Sequence, residues 1–185
     1  RRGYPQYRVR EVMAEARAPG KAILFGEHAV VYGHPAVAVA IEAGVNVTVS
    51  DNKEWAVEGR PLDPIRHPHL KSIISRMPRG SGPCSFQISS TLFSAAGQGS
   101  SAALSVAAHL ALSNQIGESS NLIDAARSAH LAEAAAQSGR ASPTDTATSA
   151  LGGCVVVSSS LPPMVKHVFE AELETSEGLR KWDVG

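Results

Sequence analysis

The sequence predicts one domain in which β-strands and α-helices are mixed along the chain. Three observations support this class. Small apolar residues alternate at strand spacing in several short segments, alanine-rich segments with helical spacing follow them, and glycine and proline separate the two kinds. With 185 residues, 43% of them hydrophobic, the chain is long enough for one substantial core or two small ones.

Strands are predicted where apolar residues alternate or form short runs. Residues 15–41 are small and apolar and contain three glycines, and valines alternate at residues 44–50, so both segments predict strands joined by tight turns. Three more strands are predicted at residues 86–90, 152–157 and 165–173.

Helices are predicted where apolar residues recur at helical spacing. Residues 69–77 have one apolar face, and the Ala/Leu/Val run that ends at Leu112 favours helix. Residues 121–137 form a stronger pattern in which Asn121 is the candidate N-cap. A last short helix is predicted at residues 145–150, after a Ser-Pro-Thr turn.

The composition excludes several classes of function. Lys plus Arg and Asp plus Glu both total 17, so no net field attracts nucleic acid or an anionic membrane. Cys84 and Cys154 lie far apart, which favours neither a disulfide framework nor a zinc site and makes a reducing cytoplasm the default. The apolar segment at residues 36–41 is far shorter than the ~20 residues of a membrane span. Residues 1–15 begin with Arg, not Met, and are interpreted as an extension outside the functional domain.

The first motif with candidate functional residues covers residues 18–33. Lys21, Glu27 and His28 stand there among apolar residues, where a buried charge is costly unless it meets a partner or a ligand. A strand end with an exposed ion pair is the alternative.

The second motif is the glycine-rich segment 95–101, which precedes a predicted helix. Backbone N–H groups at a helix start, left accessible by glycine, form an anion site that suits the phosphates of a nucleotide. The segment is neither a Walker A loop nor a dinucleotide G-x-G-x-x-G motif, and a simple turn is the alternative.

The third motif covers residues 139–149 and is preceded by Glu133. A carboxylate after a rigid turn, here Asp145, can lie close to a substrate hydroxyl, and Glu133 on the preceding helix can hold Mg²⁺. The alternative is that Asp145 caps a helix.

Together, and in this order, the three motifs resemble the mevalonate kinase family of the GHMP kinases. Residues 18–33 resemble the N-terminal signature of that family, whereas galactokinases carry Asp and Tyr after the Gly-Glu-His sequence. Residues 142–145 are similar to archaeal members in particular. The resemblance covers about residues 16–157.

The resemblance implies an α+β fold, a mixed sheet backed by helices as in domain 2 of ribosomal protein S5. The GHMP N-terminal, ATP-binding domain would occupy residues 16–160, and residues 161–185 would begin an incomplete C-terminal region. In the family a C-terminal domain with another glycine-rich loop closes the ATP site. Residues 1–185 alone are therefore expected to turn over slowly or not at all.

The resemblance also implies an activity, the ATP-dependent phosphorylation of mevalonate with Mg²⁺ as the metal. Asp145 would face the primary hydroxyl as a base or orienting group, and Lys21 would lower the pKa of that hydroxyl. The remaining implied contacts are Mg²⁺ at Ser101 and Glu133, ATP at Ser90, Ala95, Ala96, Gly97, Gln98, Gly99, Ser100 and Ser101, and mevalonate at Glu27, His28 and Thr148. Mevalonate and ATP are the implied partners, and a homodimer is left open.

The nucleotide loop departs from the family pattern. Phe93 and Ala95 stand where Pro and Gly are usual, and Gln98 replaces an apolar residue, so the loop is expected to differ in stiffness and in nucleotide affinity.

Two other functions remain open. The acceptor could be a different GHMP substrate such as phosphomevalonate, homoserine or a sugar, although a second anionic group would demand more cations than Arg140 alone. The chain could also be a non-catalytic nucleotide-binding or regulatory module.

Overall fold

The computed structural model describes residues 13–32, 34–78, 81–93, 97–139, 141–176 and 178–185. The described residues form one eight-stranded sheet and four α-helices. In chain order these elements are β1 (Met13–Phe25), β2 (Ala36–Asp51), β3 (Ala56–Val57), β4 (Arg60–Pro61), α1 (Pro68–Ser75), β5 (Cys84–Ser90), α2 (Ser100–Gln115), α3 (Leu122–Ala136), α4 (Pro143–Leu151), β6 (Cys154–Ser158), β7 (Phe169–Thr175) and β8 (Gly178–Val184). A short 3-10 turn, Val30–Tyr32, lies between β1 and β2.

The long strand β2 organises the sheet. It pairs with β1 in antiparallel register along one side, and on its other side it pairs with β6 near its start and with β5 near its end. The remaining strands extend the sheet in the order β4-β3-β5-β2-β6-β8-β7, and β3 with β5 is a parallel pair. The valines of β2 follow the period of two, since Val45, Val47 and Val49 are all buried.

The helices pack against the sheet through small residues. α2 and α4 both contact β1 and β2, while α3 packs on α2, α4 and α1. Ala103 and Ala107 of α2 and Ala129 and Ala132 of α3 are fully buried, and their short side chains let the helices approach closely. None of the helices in the described parts of the chain is long and apolar enough to cross a membrane.

The predicted α+β class is confirmed, and so are the four helices, within a few residues of their predicted ends. Asn121 is confirmed as the N-cap of α3, because its Oδ1 accepts a hydrogen bond from the Asp124 N–H at 2.8 Å.

The strand predictions were wrong in two bounds, and three strands were not predicted. The separate strands expected at residues 15–41 and 44–50 are β1 and a continuous β2, and β7 begins at Phe169, later than predicted. The two-residue strands β3 and β4 were not predicted, and neither was β8. The predicted domain boundary at residue 160 lies between β6 and β7, and the segments on both sides of it join the same sheet through the pairing of β6 with β8.

Candidate active site

The centre of the site is an ion pair between β1 and α4. Lys21 Nζ lies 3.1 Å from Asp145 Oδ1, and the Lys21 side chain is only 6% exposed. The N-cap of α4 is Ser142, whose Oγ accepts a hydrogen bond from the Thr144 N–H, and Pro143 begins the helix. Asp145 therefore lies inside the first turn, and the capping alternative does not account for it.

The surroundings of Asp145 change its acidity. Burial raises the pKa of this carboxyl above its ordinary value, against the opposing charge and hydrogen bond of Lys21, and the nearby carboxylates of Glu133 and Glu27 raise it further. A carboxylate with a raised pKa is a better proton acceptor near neutral pH than an ordinary aspartate.

The glycine-rich segment packs directly on Lys21. The Lys21 N–H donates a hydrogen bond to the Gln98 carbonyl at 2.9 Å, and Gly99 takes a left-handed conformation (φ 70°, ψ 35°) immediately before α2. A Cβ added at Gly99 would lie 3.0 Å from Lys21 Cγ. The glycine therefore lets the start of α2, with its free N–H groups, approach the lysine closely.

The predicted metal ligands are also close together. Glu133 of α3 is 6% exposed, and its Oε2 accepts hydrogen bonds from Ser101 Oγ at 3.1 Å and from Gln137 Nε2 at 2.8 Å. The other oxygen, Oε1, lies 3.1 Å from His69 Nε2 of α1. A buried carboxylate beside a hydroxyl at the start of a helix offers the oxygen donors that Mg²⁺ prefers, so the residues present fit this ion.

Two cavities meet at Lys21. One, of about 170 Å³, lies beside the carboxylates and is lined by Lys21, Ile23, Glu27, Glu133, Gln137, Ala141, Ser142, Thr144 and Asp145. The other, of about 400 Å³, lies beside the glycine-rich segment and is lined by Lys21, Ala22, Ile23, Glu27, Ile41, Gly97 and Gln98. The lysine can thus contact molecules bound in either cavity.

Not every predicted site residue lies at these cavities. His28 is exposed in the turn after β1, and Ser90 is exposed at the end of β5, where its Oγ accepts a hydrogen bond from the Leu92 N–H. Thr148 is fully buried, and its hydroxyl donates to the Thr144 carbonyl at 2.7 Å. Ala95, Ala96 and Arg140 lie outside the described residues.

Two polar partners of Glu133 in the described part of the chain were not predicted. Gln137 follows Glu133 by one helical turn, and that i,i+4 spacing was a usable signal in the sequence. His69 reaches Glu133 from another helix, and no local pattern marks such a contact.

Comparison with known proteins identifies relatives of this chain. Residues 68–153 match the family model of the GHMP kinases N terminal domain. The mevalonate kinase of Methanothermobacter thermautotrophicus is 40% identical over 169 residues, which cover 86% of this chain and 54% of that protein. The mevalonate kinase of Saccharolobus solfataricus is 32% identical over 164 residues, which cover 78% of this chain and 51% of that protein.

Solved structures give the same fold. The mevalonate kinase of Methanococcus jannaschii superposes with a TM-score of 0.66 at 23% identity, covering 86% of this chain and 57% of that one. The match of residues 68–153 and the shared fold identify a domain homologous to the GHMP kinase N-terminal domain. More particularly, the chain is a homologue of the archaeal mevalonate kinases, and it spans about half the length of the curated relatives it matches.

Proposed function

We propose that the full-length, gene-encoded protein transfers the γ-phosphoryl group of ATP to the primary hydroxyl of mevalonate, giving 5-phosphomevalonate and ADP. The observation that carries this proposal is the Lys21–Asp145 pair, 3.1 Å apart, where a glycine-rich helix start meets a carboxylate-lined cavity. The similarity to mevalonate kinases supports mevalonate as the acceptor.

The chemistry needs one proton acceptor and one cation near the hydroxyl. The hydroxyl oxygen forms a bond to the γ-phosphorus, the bond from that phosphorus to the β–γ bridging oxygen breaks, and ADP leaves with the bonding electrons. Asp145 accepts or orients the hydroxyl proton, for which its raised pKa is suited. Lys21 stabilises the negative charge that develops on the hydroxyl oxygen.

The glycine-rich segment and the start of α2 would bind the phosphates of ATP. The N–H groups in the first turn of α2, which have no partner within the helix, and the positive end of the helix dipole favour anions. Ser101 and Glu133 would hold Mg²⁺, which neutralises phosphate charge when it is bound. In this structure those two side chains hydrogen bond to each other, so they already converge on one point.

The acceptor side of the site is proposed from fewer contacts. Glu27 lines both cavities, which supports a contact with the acceptor, whereas the proposed roles of His28 and Thr148 rest on the resemblance alone. A cytoplasmic location is part of the proposal, and the free thiols of Cys84 and Cys154 are compatible with a reducing compartment.

The test is ADP release by the full gene-encoded protein with Mg²⁺ and ATP. We expect release to depend on mevalonate, and the product to have the mass of a mono-phosphorylated mevalonate. Phosphomevalonate and homoserine are the matched acceptor controls. Faster release with either control would change the acceptor class. ATP binding without release under any acceptor would favour the non-catalytic module.

A further inference from the structure

The Glu133 carboxylate has unequal surroundings on its two oxygens. Oε2 accepts hydrogen bonds from Ser101 of α2 and from Gln137, just after α3. Oε1 faces a different helix, where His69 Nε2 in the first turn of α1 lies 3.1 Å away. Three helices therefore meet at one carboxylate.

A carboxylate as buried as Glu133 is costly unless each oxygen has a compensating donor. At 3.1 Å His69 is close enough to be that donor, yet the ring N–H is not aligned with the oxygen. Within the described part of the chain, neither His69 Nε2 nor Glu133 Oε1 makes an aligned hydrogen bond. A modest rotation of the ring or of the carboxylate would align them.

We propose that His69 is a positioning residue that fixes the rotation of the Glu133 carboxylate for a divalent cation bound at Ser101 and Glu133. The inference rests on the metal site in the proposed function. A donor at Oε1 restrains the carboxylate while leaving Oε2, the oxygen nearest Ser101, in place beside the hydroxyl. Carboxylates that ligate metals are held in this way by outer partners, whose loss typically weakens metal binding by about 10- to 100-fold.

The test compares three variants in the full gene-encoded protein. His69→Leu removes the N–H donor and fills a similar volume with an apolar side chain, whereas His69→Gln keeps an N–H donor. Ser72→Ala is the matched control, because Ser72 lies on the same helix and its hydroxyl bonds to Arg76 rather than to Glu133. Binding of Mn²⁺ in the presence of ADP is measured by electron paramagnetic resonance, without turnover, and the half-saturating Mg²⁺ concentration is measured by ADP release.

We expect His69→Leu to weaken Mn²⁺ binding by about tenfold and to raise the half-saturating Mg²⁺ concentration by a similar factor. The KM for mevalonate should stay within about twofold, and excess Mg²⁺ should restore kcat, because the group lost acts on the metal site alone. His69→Gln should recover most of the affinity, and Ser72→Ala should match the wild type.

Unchanged Mn²⁺ affinity in His69→Leu would overturn the proposal, and so would a His69→Gln variant as weak as His69→Leu. If His69→Leu does not fold, His69→Asn takes its place, since its shorter amide should fail where that of His69→Gln succeeds. Glu133→Gln separates this inference from the proposed function. If Glu133→Gln does not weaken Mn²⁺ binding, the metal site itself is wrong. If Glu133→Gln weakens Mn²⁺ binding and His69→Leu does not, only the role proposed for His69 is wrong.

Discussion

Replacing His130 by leucine should make the stability of the protein less dependent on pH between about 6.5 and 4. His130 lies on α3, is 2% exposed, and its ring is nearly perpendicular to the Trp182 ring at a centroid distance of 6.0 Å. Burial lowers the pKa of its imidazole from 6.5 to about 4, with the Glu133 charge opposing part of the shift.

The sign follows from which state binds the proton first. As the pH falls below 6.5 the unfolded chain protonates this histidine, whereas the folded protein does not until about pH 4. The stability that the neutral ring allows is therefore fully present above pH 6.5 and is lost as the pH falls toward 4. At about 1.4 kcal/mol per pKa unit, the whole loss is about 3 kcal/mol, and about 2.5 kcal/mol of it has occurred by pH 4.5.

The assay is urea unfolding at pH 7 and at pH 4.5, followed by the fluorescence of the tryptophans, one of which contacts His130. Wild type, His130→Leu and the exposed-histidine control His34→Gln are compared. Because each variant differs from the wild type at one histidine only, the comparison isolates the contribution of that histidine. Between pH 7 and pH 4.5 we expect the free energy of unfolding of His130→Leu to fall by about 2.5 kcal/mol less than that of the other two proteins. Equal decreases in the free energy of unfolding of the wild type and His130→Leu would refute the reasoning.

Two further predictions concern the site itself. Gly99→Ala and Gly59→Ala should each cost about 1–2 kcal/mol of stability, since both glycines have positive φ. Only Gly99→Ala should also lower kcat, by about tenfold, because its Cβ would displace Lys21, whereas a Cβ at Gly59, in the turn between β3 and β4, meets nothing within 4 Å. Equal kcat in the two variants would count against the role given to that contact. Glu27→Gln removes a charge that raises the pKa of Asp145, so the acidic limb of the pH profile of kcat should move to lower pH. An unmoved limb would show that Asp145 does not control it.

Local patterns in the sequence were enough to predict the helices. The cap at Asn121 and the alanine-rich faces of α2 and α3 are determined by residues three or four positions apart. The prediction divided β2 between residues 41 and 44, whereas the structure has one strand that runs through Gly44. In the structure a Cβ at Gly44 would lie 2.4 Å from the Ala18 carbonyl oxygen, so this glycine serves a close approach between β1 and β2. A contact across strands leaves no periodic signal.

The candidate site could be predicted only in part, because local sequence marks single residues and does not mark their partners on other elements. Lys21 was predicted as a charge among apolar residues and Glu133 as a carboxylate on the helix before the third motif, and both are buried. Their partners come from other elements, and the 3.1 Å approaches of Asp145 to Lys21 and of His69 to Glu133 depend on how the helices pack on the sheet. Thr148 follows Asp145 at helical spacing, yet its hydroxyl turns back to the Thr144 carbonyl.

The central claim is that Asp145 serves the acceptor hydroxyl, and kcat of Asp145→Asn in the full gene-encoded protein tests it most directly. Asn preserves the shape and removes the charge and the proton acceptor. We expect kcat to fall by on the order of 10²-fold or more, with ATP affinity little changed and no rescue by excess Mg²⁺. Glu133→Gln is the matched comparison, because excess Mg²⁺ should partly rescue it. Near-normal kcat in a folded Asp145→Asn protein would contradict the account and remove Asp145 from the mechanism.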